Sequence, residues 1–249
     1  MLNKKTILTF AASALLAAVG SQANAAVIAG QLGVLDVSQI NPATGVAFEA
    51  GDTYRLIFAT STGRDATSSN IADYNTFVQS HAAGSVIGTL SSVTWKAMAS
   101  TETVDARDNT NTNSATDGPG ESFWLLNGTS LVADDYADLY GSNTHDNRIN
   151  IDDQLTAPFD GGDYTSVWTG SNSVGEGVSG YELGAASGTT RTGLWNFTSG
   201  AHWINRFNIG QGDEKGLYAV SEVLTVTPEP SSLALLGLGG LLVARRRRG

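Results

Sequence analysis

The sequence has 249 residues, with 14 basic and 24 acidic side chains, three histidines and no cysteine. The length allows one domain with a substantial core or two small ones, and the lack of cysteine excludes disulfides and thiolate metal sites. Six of the basic residues lie in the two terminal segments, so the body is strongly acidic, which disfavours nucleic acid and anionic lipid as partners.

The N-terminal segment has the three parts of a secretory signal peptide. Two lysines precede an apolar stretch over residues 7–19, and small residues in an A-x-A arrangement follow it. These parts in this order are typical of a signal that is removed during export. We therefore predict that residues 1–25 are a signal peptide and that the Sec machinery exports the chain. The predicted cleavage site consists of Ala23, Ala25 and Ala26.

Residues 53–61 (TYRLIFATS) form the clearest predicted strand. Tyr54, Leu56 and Phe58 lie on one face of this strand, and Ile57 lies on the other. Apolar residues on both faces indicate a strand that is covered on both sides. We predict that this strand is central in its sheet.

Residues 68–84 (SSNIADYNTFVQSHAAG) are predicted to form the main helix. Asn70 can cap the first turn, apolar residues recur at helical spacing, and Gly84 ends the helix. His81 falls on the apolar side, where we expect a partly buried histidine whose hydrogen bonds are satisfied. A strand followed by an amphipathic helix favours an α+β fold over a pure β-sandwich.

Further strands are predicted along the chain, because short apolar runs alternate with turn-forming residues and leave long loops between them. Two of these strands form a hairpin that turns near Asn127 and Gly128. The predicted strands cover residues 92–100, 122–128, 129–133, 166–171 and 217–226.

The C-terminal segment, residues 227–249, combines a Pro-Glu-Pro triplet, an uncharged stretch and four arginines. The uncharged stretch, residues 231–244, is short for a bilayer span of about 20 residues, and arginines beside such a stretch favour the cytoplasmic side. We predict a short transmembrane helix that anchors the chain transiently in the inner membrane, with the domain at residues 26–226 outside. The residues that define the segment are Pro228, Glu229, Pro230, Arg245, Arg246, Arg247 and Arg248.

This order of parts resembles the PEP-CTERM sorting signal of exported bacterial proteins, a region also catalogued as an ice-binding protein C-terminal domain. The resemblance implies recognition by exosortase, an integral-membrane cysteine transpeptidase that cuts near the Pro-Glu-Pro triplet. It also implies a destination in the cell envelope or extracellular matrix, beside exopolysaccharide and biofilm. The activity of the mature domain is left open.

The body carries a second resemblance in an ordered set of segments. Between residues 53 and 226 the chain contains, in order, FATS, DYNTFVQSHA, WKAMAST, FWLLNGTSLVADDYADLY, RINID, VWTGS and LYAVSEV. This set resembles the bacterial branch of the C-type-lectin-like fold, in which the first and last strands pair. It is also similar to uncharacterised PEP-CTERM proteins that share RDATSSNIADYN and TVDARDNT. The resemblance implies a strand-rich, C-type-lectin-like α+β domain, although disulfides are impossible here and the calcium-carbohydrate signatures are missing.

The body contains no common catalytic motif. HExxH, GxSxG and phosphate-cradling loops are missing, and His81, His145 and His202 are far apart in sequence. A nucleophile needs an adjacent base and an orienting partner, which an abundance of serine and aspartate does not supply. We therefore expect no enzyme activity, no catalytic residue and no bound cofactor. A histidine in a cleft against a serine or carboxylate would instead favour an enzyme.

Two acidic segments contain the clustered oxygen ligands that calcium prefers. Their spacing does not fit an EF-hand, and the same residue types form turns and helix caps, so both alternatives stay open. These residues are Asp134, Asp135, Asp138, Asp146, Asn147, Asn150, Asp152 and Asp153. A third set is expected to brace a loop through ion pairs, and it consists of Asp105, Arg107 and Asp108.

The five tryptophans supply either stacking faces for a polysaccharide or apolar area for a core without cysteine. Most are expected in the core. Trp195 and Trp203 lie in the glycine- and serine-rich stretch 170–216, where we expect them to be exposed as candidate glycan contacts. We therefore expect an exported, non-enzymatic surface or matrix protein with an adhesive or glycan-associated role. The alternatives are a secreted hydrolase acting on exopolysaccharide and a purely structural matrix protein.

Overall fold

The computed structural model describes residues 27–140, 144–162 and 165–228. Within these residues one compact unit spans Ile28–Thr227. The predicted signal peptide with its cleavage site, and most of the sorting segment, lie outside the described residues. In the described ranges no helix is long and apolar enough to cross a membrane. The predicted transmembrane helix belongs to the part of the chain that is not described.

Strands dominate the described part of the chain, and a few helices accompany them. This composition is the strand-rich α+β class that the sequence predicts. The strands are β1 (Ile28–Gly30), β2 (Thr53–Ala59), β3 (Trp95–Ala97), β4 (Phe123–Leu125), β5 (Leu131–Ala133), β6 (Ser166–Trp168), β7 (Thr189–Leu194), β8 (Phe207–Gly210), β9 (Gly216–Ser221) and β10 (Leu224–Pro228). The α-helices are α1 (Ile71–Ala83), α2 (Ala106–Asn109) and α3 (Tyr136–Leu139), and 3-10 helices cover Gly88–Ser92 and Gly200–Trp203.

The ten described strands join in one sheet, in which neighbours follow the order β1-β10-β2-β9-β6-β7-β8. Outside this path, β4 pairs with β2, β3 pairs with β9, and β5 pairs with β4. β2 runs parallel to β4 and antiparallel to β9 and β10. The strand that the sequence predicts as central therefore has several partners inside the sheet.

The two faces of β2 contribute to two different hydrophobic clusters. Tyr54, Leu56 and Phe58 belong to the cluster that α1 helps to form. Ile57 and Ala59 belong to the second cluster, which includes residues of β4, β5 and α3. All five side chains are fully buried, so the predicted burial of β2 on both faces is confirmed.

The main helix has the caps that the sequence predicts. The Asn70 side chain accepts a hydrogen bond from the Ala72 amide at 3.1 Å, and α1 ends before Gly84. One face of α1 packs toward β3 and β9, and it buries Tyr74, Val78 and Ala82. The helix therefore carries His81 in its last turn, close to the sheet.

The structure contains the predicted hairpin and adds strands for which the sequence gives no signal. β4 and β5 pair antiparallel, and their turn contains Gly128 at φ 73°, which glycine adopts without strain. β7 and β8 lie in the stretch 170–216, where the sequence predicts no strand. In β7, the buried Thr190 and Thr192 donate hydrogen bonds to backbone carbonyls of other segments. A strand with such polar buried residues lacks the apolar alternation by which strands are predicted.

A β-bulge interrupts the strand pairing beside β2. Ile57 pairs with Val220 and Tyr54 pairs with Leu224, so three residues along β2 correspond to four residues along the partner segment. The Leu56 amide donates to the Ser221 hydroxyl at 2.9 Å, where a regular ladder would supply a carbonyl. Because bulges redirect backbone groups, the Ser221 carbonyl is free to accept from Arg55, at 2.9 Å.

Candidate functional site

The C-terminal end of β2 brings two hydroxyl groups beside a histidine and an aspartate. Ser61 and Thr62 follow β2, His81 lies in the last turn of α1, and Asp153 lies in the loop before β6. These four residues, distant in sequence, contact one another, and we name them the His81 cluster.

Both ring nitrogens of His81 have partners in this cluster. Nδ1 lies 3.0 Å from Asp153 Oδ1, and Nε2 lies 3.0 Å from the Thr62 hydroxyl oxygen. An ionised carboxylate only accepts hydrogen bonds, so Nδ1 carries a proton and donates it to Asp153. In the neutral ring, Nε2 then accepts from Thr62. His81 is partly buried with its hydrogen bonds satisfied, as the sequence predicts.

Asp153 is buried and accepts several hydrogen bonds at once. The Ser61 amide and hydroxyl donate at 2.8 and 3.0 Å, and the Gln154 side chain donates at 2.8 Å. Burial opposes ionisation of this carboxyl group, but the hydrogen bonds from His81, Gln154 and Ser61 outweigh it and lower the pKa of Asp153 from 3.8 to about 2. Asp153 is therefore ionised throughout the neutral range.

Thr62, His81 and Asp153 are connected in the order of a hydroxyl nucleophile, a base and an orienting acid. Acyl transfer also needs free N–H donors that stabilise the developing oxyanion. Here the Gln154 side chain donates to Asp153 and to the Gly84 carbonyl, and the Gly84 amide donates to carbonyls of α1. The adjoining cleft of about 260 Å³ is lined by Ser61, Ser80, His81, Gly84, Asp153 and Gln154. The hydrogen bonds that join Thr62, His81 and Asp153 are present, but the Gln154 and Gly84 N–H donors that line the cleft already have partners.

A second polar group lies near the N-terminal end of β2. It consists of Arg55, Glu121 and Tyr136, and we name it the Arg55 cluster. Arg55 is 4% exposed, and its Nε donates to the Tyr136 hydroxyl at 2.8 Å and lies 3.4 Å from Glu121. Burial, and then the hydrogen bond to Glu121, raise the pKa of Tyr136, so its hydroxyl keeps its proton and donates to Glu121. The guanidinium also donates, at 3.1, 3.0 and 2.9 Å, to the carbonyls of Thr110, Asn111 and Ser221. A buried charge needs this pairing and hydrogen bonding to be tolerated.

The two candidate glycan contacts differ in exposure. The expectation that Trp203 is exposed is wrong, because its side chain is only 1% exposed. At Gly193, an added Cβ atom would lie 1.8 Å from the Trp203 carbonyl oxygen, so glycine lets this segment lie directly on β7. Trp195 is partly buried against the second hydrophobic cluster and keeps some accessible surface. The ring of Trp203 packs instead against Tyr140, His145 and Tyr218.

Two of the residues considered as calcium ligands, Asp135 and Asp152, act as a helix cap and in a turn. Asp135 caps α3 by accepting from the Asp138 amide at 2.7 Å. Asp152 accepts from the Gln154 and Thr156 amides, both at 2.8 Å. Among the residues that the structure describes, no group of three or more histidine, aspartate or glutamate side chains is arranged to hold a metal ion.

Asp105, Arg107 and Asp108 brace loops through contacts with other segments. Arg107 pairs with Glu176 at 2.7 Å, and Asp105 accepts from the Gly177 amide at 2.8 Å. Asp108 accepts from a nearby asparagine side chain at 2.7 Å. The loop-bracing role expected from the sequence is therefore confirmed, but only Arg107 acts through an ion pair, and its partner is a remote glutamate. Asp105 and Asp108 act through hydrogen bonds.

The two polar clusters combine residues that no sequence motif connects. Ser61 and His81 are 20 positions apart, and His81 and Asp153 are 72 apart. Helical periodicity marks His81, but nothing local marks its partners. Arg55 carries one signal, since a cation inside an otherwise apolar strand predicts a buried and paired charge.

The predicted sorting residues lie mostly outside the described ranges. Pro228 is the last residue of β10, and it has no backbone N–H with which to continue a strand. Glu229, Pro230 and the four arginines follow it among the residues that are not described. The predicted cleavage residues Ala23, Ala25 and Ala26 are also outside.

Comparison with protein families finds the PEP-CTERM protein-sorting motif at residues 226–248. This match confirms the resemblance of the C-terminal segment and leaves the preceding domain unassigned. No curated protein matches the chain. The motif implies processing by exosortase in the membrane and a location in the cell envelope or at the surface. The chain is therefore an exported protein that carries a PEP-CTERM sorting motif for exosortase.

Proposed function

We propose that the exported domain is a non-enzymatic protein of the cell surface or extracellular matrix, with an adhesive or glycan-associated role. The observation that carries this proposal is the sorting motif at residues 226–248, which directs the domain to the envelope. The His81 cluster is the arrangement that favours an enzyme, a histidine in a cleft against a serine and a carboxylate. The non-enzymatic part is supported by the N–H donors that line this cleft, because they already have partners within the protein.

A C-type-lectin-like architecture is part of this proposal. It is supported by the pairing of β1 with β10, which joins the first and last strands. Binding residues of domains commonly lie on loops that a rigid scaffold positions. Trp195 follows β7 in the stretch 170–216, and its partly accessible ring offers an apolar face to a sugar.

The sorting step is tested with the full chain in a host that has exosortase. Replacing Pro228, Glu229 and Pro230 by alanine, or the four arginines by glutamine, should leave export intact but hold the chain in the membrane fraction. The matched control is Arg148→Gln, which removes an exposed cation from the domain and should leave sorting unchanged. Variants of the triplet that reach the surface as efficiently as the wild type would contradict the proposal.

The binding role is tested with the protein recovered from such cells and the exopolysaccharide of the same host. We expect the protein to sediment with the polysaccharide without shortening it or releasing acid. Trp195→Ala should weaken this binding, and Phe197→Ala, which removes a neighbouring exposed ring, is the control. A domain that neither binds nor cuts would favour a purely structural matrix protein.

A second candidate is a secreted hydrolase that acts on ester groups of an exopolysaccharide. The observation that favours it is the Thr62–His81–Asp153 relay. In such a reaction the Thr62 hydroxyl attacks the ester carbonyl while His81 takes its proton, and the sugar hydroxyl leaves with that proton. Water then hydrolyses the acyl-threonine bond, which releases the acid and restores the Thr62 hydroxyl. Acid release from an acetylated polysaccharide that falls about 100-fold or more in His81→Asn would establish this candidate. Wild-type protein that releases no acid would exclude it.

A further inference from the structure

A cavity of about 380 Å³ lies beside the Arg55 cluster, at the β-bulge. Two of the eight basic residues of the acidic body line it, Arg55 and Lys96. The bulge supplies another part of the wall, because it separates β9 from β10 at Glu222 and Val223. The cavity therefore brings two cations and the carboxylate of Glu222 together in a domain whose net charge is negative.

Lys96 is the cation in this cavity that lacks a protein partner among the described residues. It lies in β3 opposite Val220 of β9, and its side chain is partly buried between two buried neighbours. Among the described residues its ammonium group forms no hydrogen bond and no ion pair within 4.0 Å. A cation that is partly removed from water without a partner costs free energy. An anion in the cavity would offset this cost.

The other lining groups define the kind of anion that fits. The Arg55 donors hold the carbonyls of the wall in place, so this guanidinium shapes the cavity, while its charge is paired with Glu121. The Thr94 hydroxyl and the Asn111 side-chain amide have no hydrogen bond among the described residues and can donate to a ligand. Val223 is 38% exposed and provides an apolar surface. These lining groups suit an anion that carries hydroxyl groups and an apolar face.

We propose that this cavity binds a small, hydroxylated organic carboxylate, with the carboxylate at Lys96 and the carbon skeleton against Val223. The volume of about 380 Å³ admits about a dozen non-hydrogen atoms, because a water molecule occupies about 30 Å³ of liquid. Glu222 also lines the cavity, and its charge opposes the carboxylate. This inference goes beyond the proposed function, since it requires neither sorting nor attachment to a matrix.

The test is isothermal calorimetry with glucuronate as the probe and glucose as its neutral counterpart, using protein recovered from exporting cells. Glucuronate should bind with a dissociation constant of about 1 mM, as expected for a ligand of this size, and high salt should weaken it. Glucose should not bind measurably. Lys96→Met should weaken glucuronate binding at least about tenfold, whereas Glu222→Gln should strengthen it about threefold. Arg148→Met removes an exposed cation elsewhere and should change nothing.

Several results would overturn the proposal. These are equal binding of glucuronate and glucose, no binding of glucuronate at millimolar concentration, or an unchanged constant in Lys96→Met. Thermal unfolding of each variant shows whether the fold is intact. If Lys96→Met does not fold, Lys96→Gln decides the question with the same expected loss. Loss of sorting without loss of glucuronate binding would count against the proposed function alone.

Discussion

The two ends of β2 each hold a buried charge, and the protein surrounds these charges differently. At the C-terminal end, Asp153 accepts hydrogen bonds from His81, Ser61 and Gln154, so its partners are complete. At the N-terminal end, the donors of Arg55 are engaged, but the neighbouring Lys96 has no partner within the described residues. The difference indicates that the first end stabilises the fold and that the second end also offers a charge to a ligand.

The largest expected effect is the loss of the buried cation. Arg55→Leu removes the cation paired with Glu121 and the donor to the Tyr136 hydroxyl and three carbonyls. We therefore expect a loss of about 3–5 kcal/mol in the free energy of unfolding. Urea denaturation measures it. The control is Arg107→Leu, whose ion pair is partly exposed at 24% and 43% and should contribute about 1 kcal/mol or less. Equal losses in the two variants would contradict the account.

The next effect concerns the dependence of stability on pH. The folded pKa of Asp153 is about 2, below its ordinary 3.8, so its ionised form stabilises the fold above about pH 4. This stabilisation, about 2 kcal/mol, is lost as the pH falls through 2. The stability difference between wild type and Asp153→Asn should therefore be full at pH 5 and shrink toward pH 2. A difference that stays constant over this range would show that the carboxylate is not stabilised by its partners.

The smallest effects compare one serine from each end of β2. Ser221→Ala leaves the buried Leu56 amide without an acceptor, so we expect a loss of about 1–2 kcal/mol. Ser61→Ala removes one of several donors to Asp153, whose other hydrogen bonds remain, and should cost less than about 1 kcal/mol. Urea denaturation of both variants under the same conditions shows which one loses more stability. A larger loss in Ser61→Ala than in Ser221→Ala would contradict the comparison.

The elements that the sequence predicts are those with local signals. β2 shows apolar residues on both faces, and α1 has a capping asparagine, helical spacing and a terminal glycine. β7 shows none of these, because its buried threonines are satisfied by the carbonyls of Glu182 and of Phe207 in the neighbouring strand β8. The sorting segment is contiguous, which is why the sequence alone identifies it.

The polar clusters could not be predicted, because each combines several elements of the fold. His81 meets Ser61 and Asp153 only when α1 and the loop before β6 approach the end of β2. The burial of Trp203 has a similar origin, since it depends on the missing side chain of Gly193 in β7. A glycine- and serine-rich sequence predicts an exposed loop there, and packing overrides that local preference.

The most direct test of the two roles assigned to the ends of β2 is a titration of the ¹⁵N-labelled protein with glucuronate, followed by heteronuclear NMR. We expect amide shifts confined to Lys96, its neighbours in β3 and the bulge at Ser221, with the amides of Ser61, His81 and Asp153 unchanged. Shifts centred on the His81 cluster, or no shifts at saturating glucuronate, would contradict the assignment.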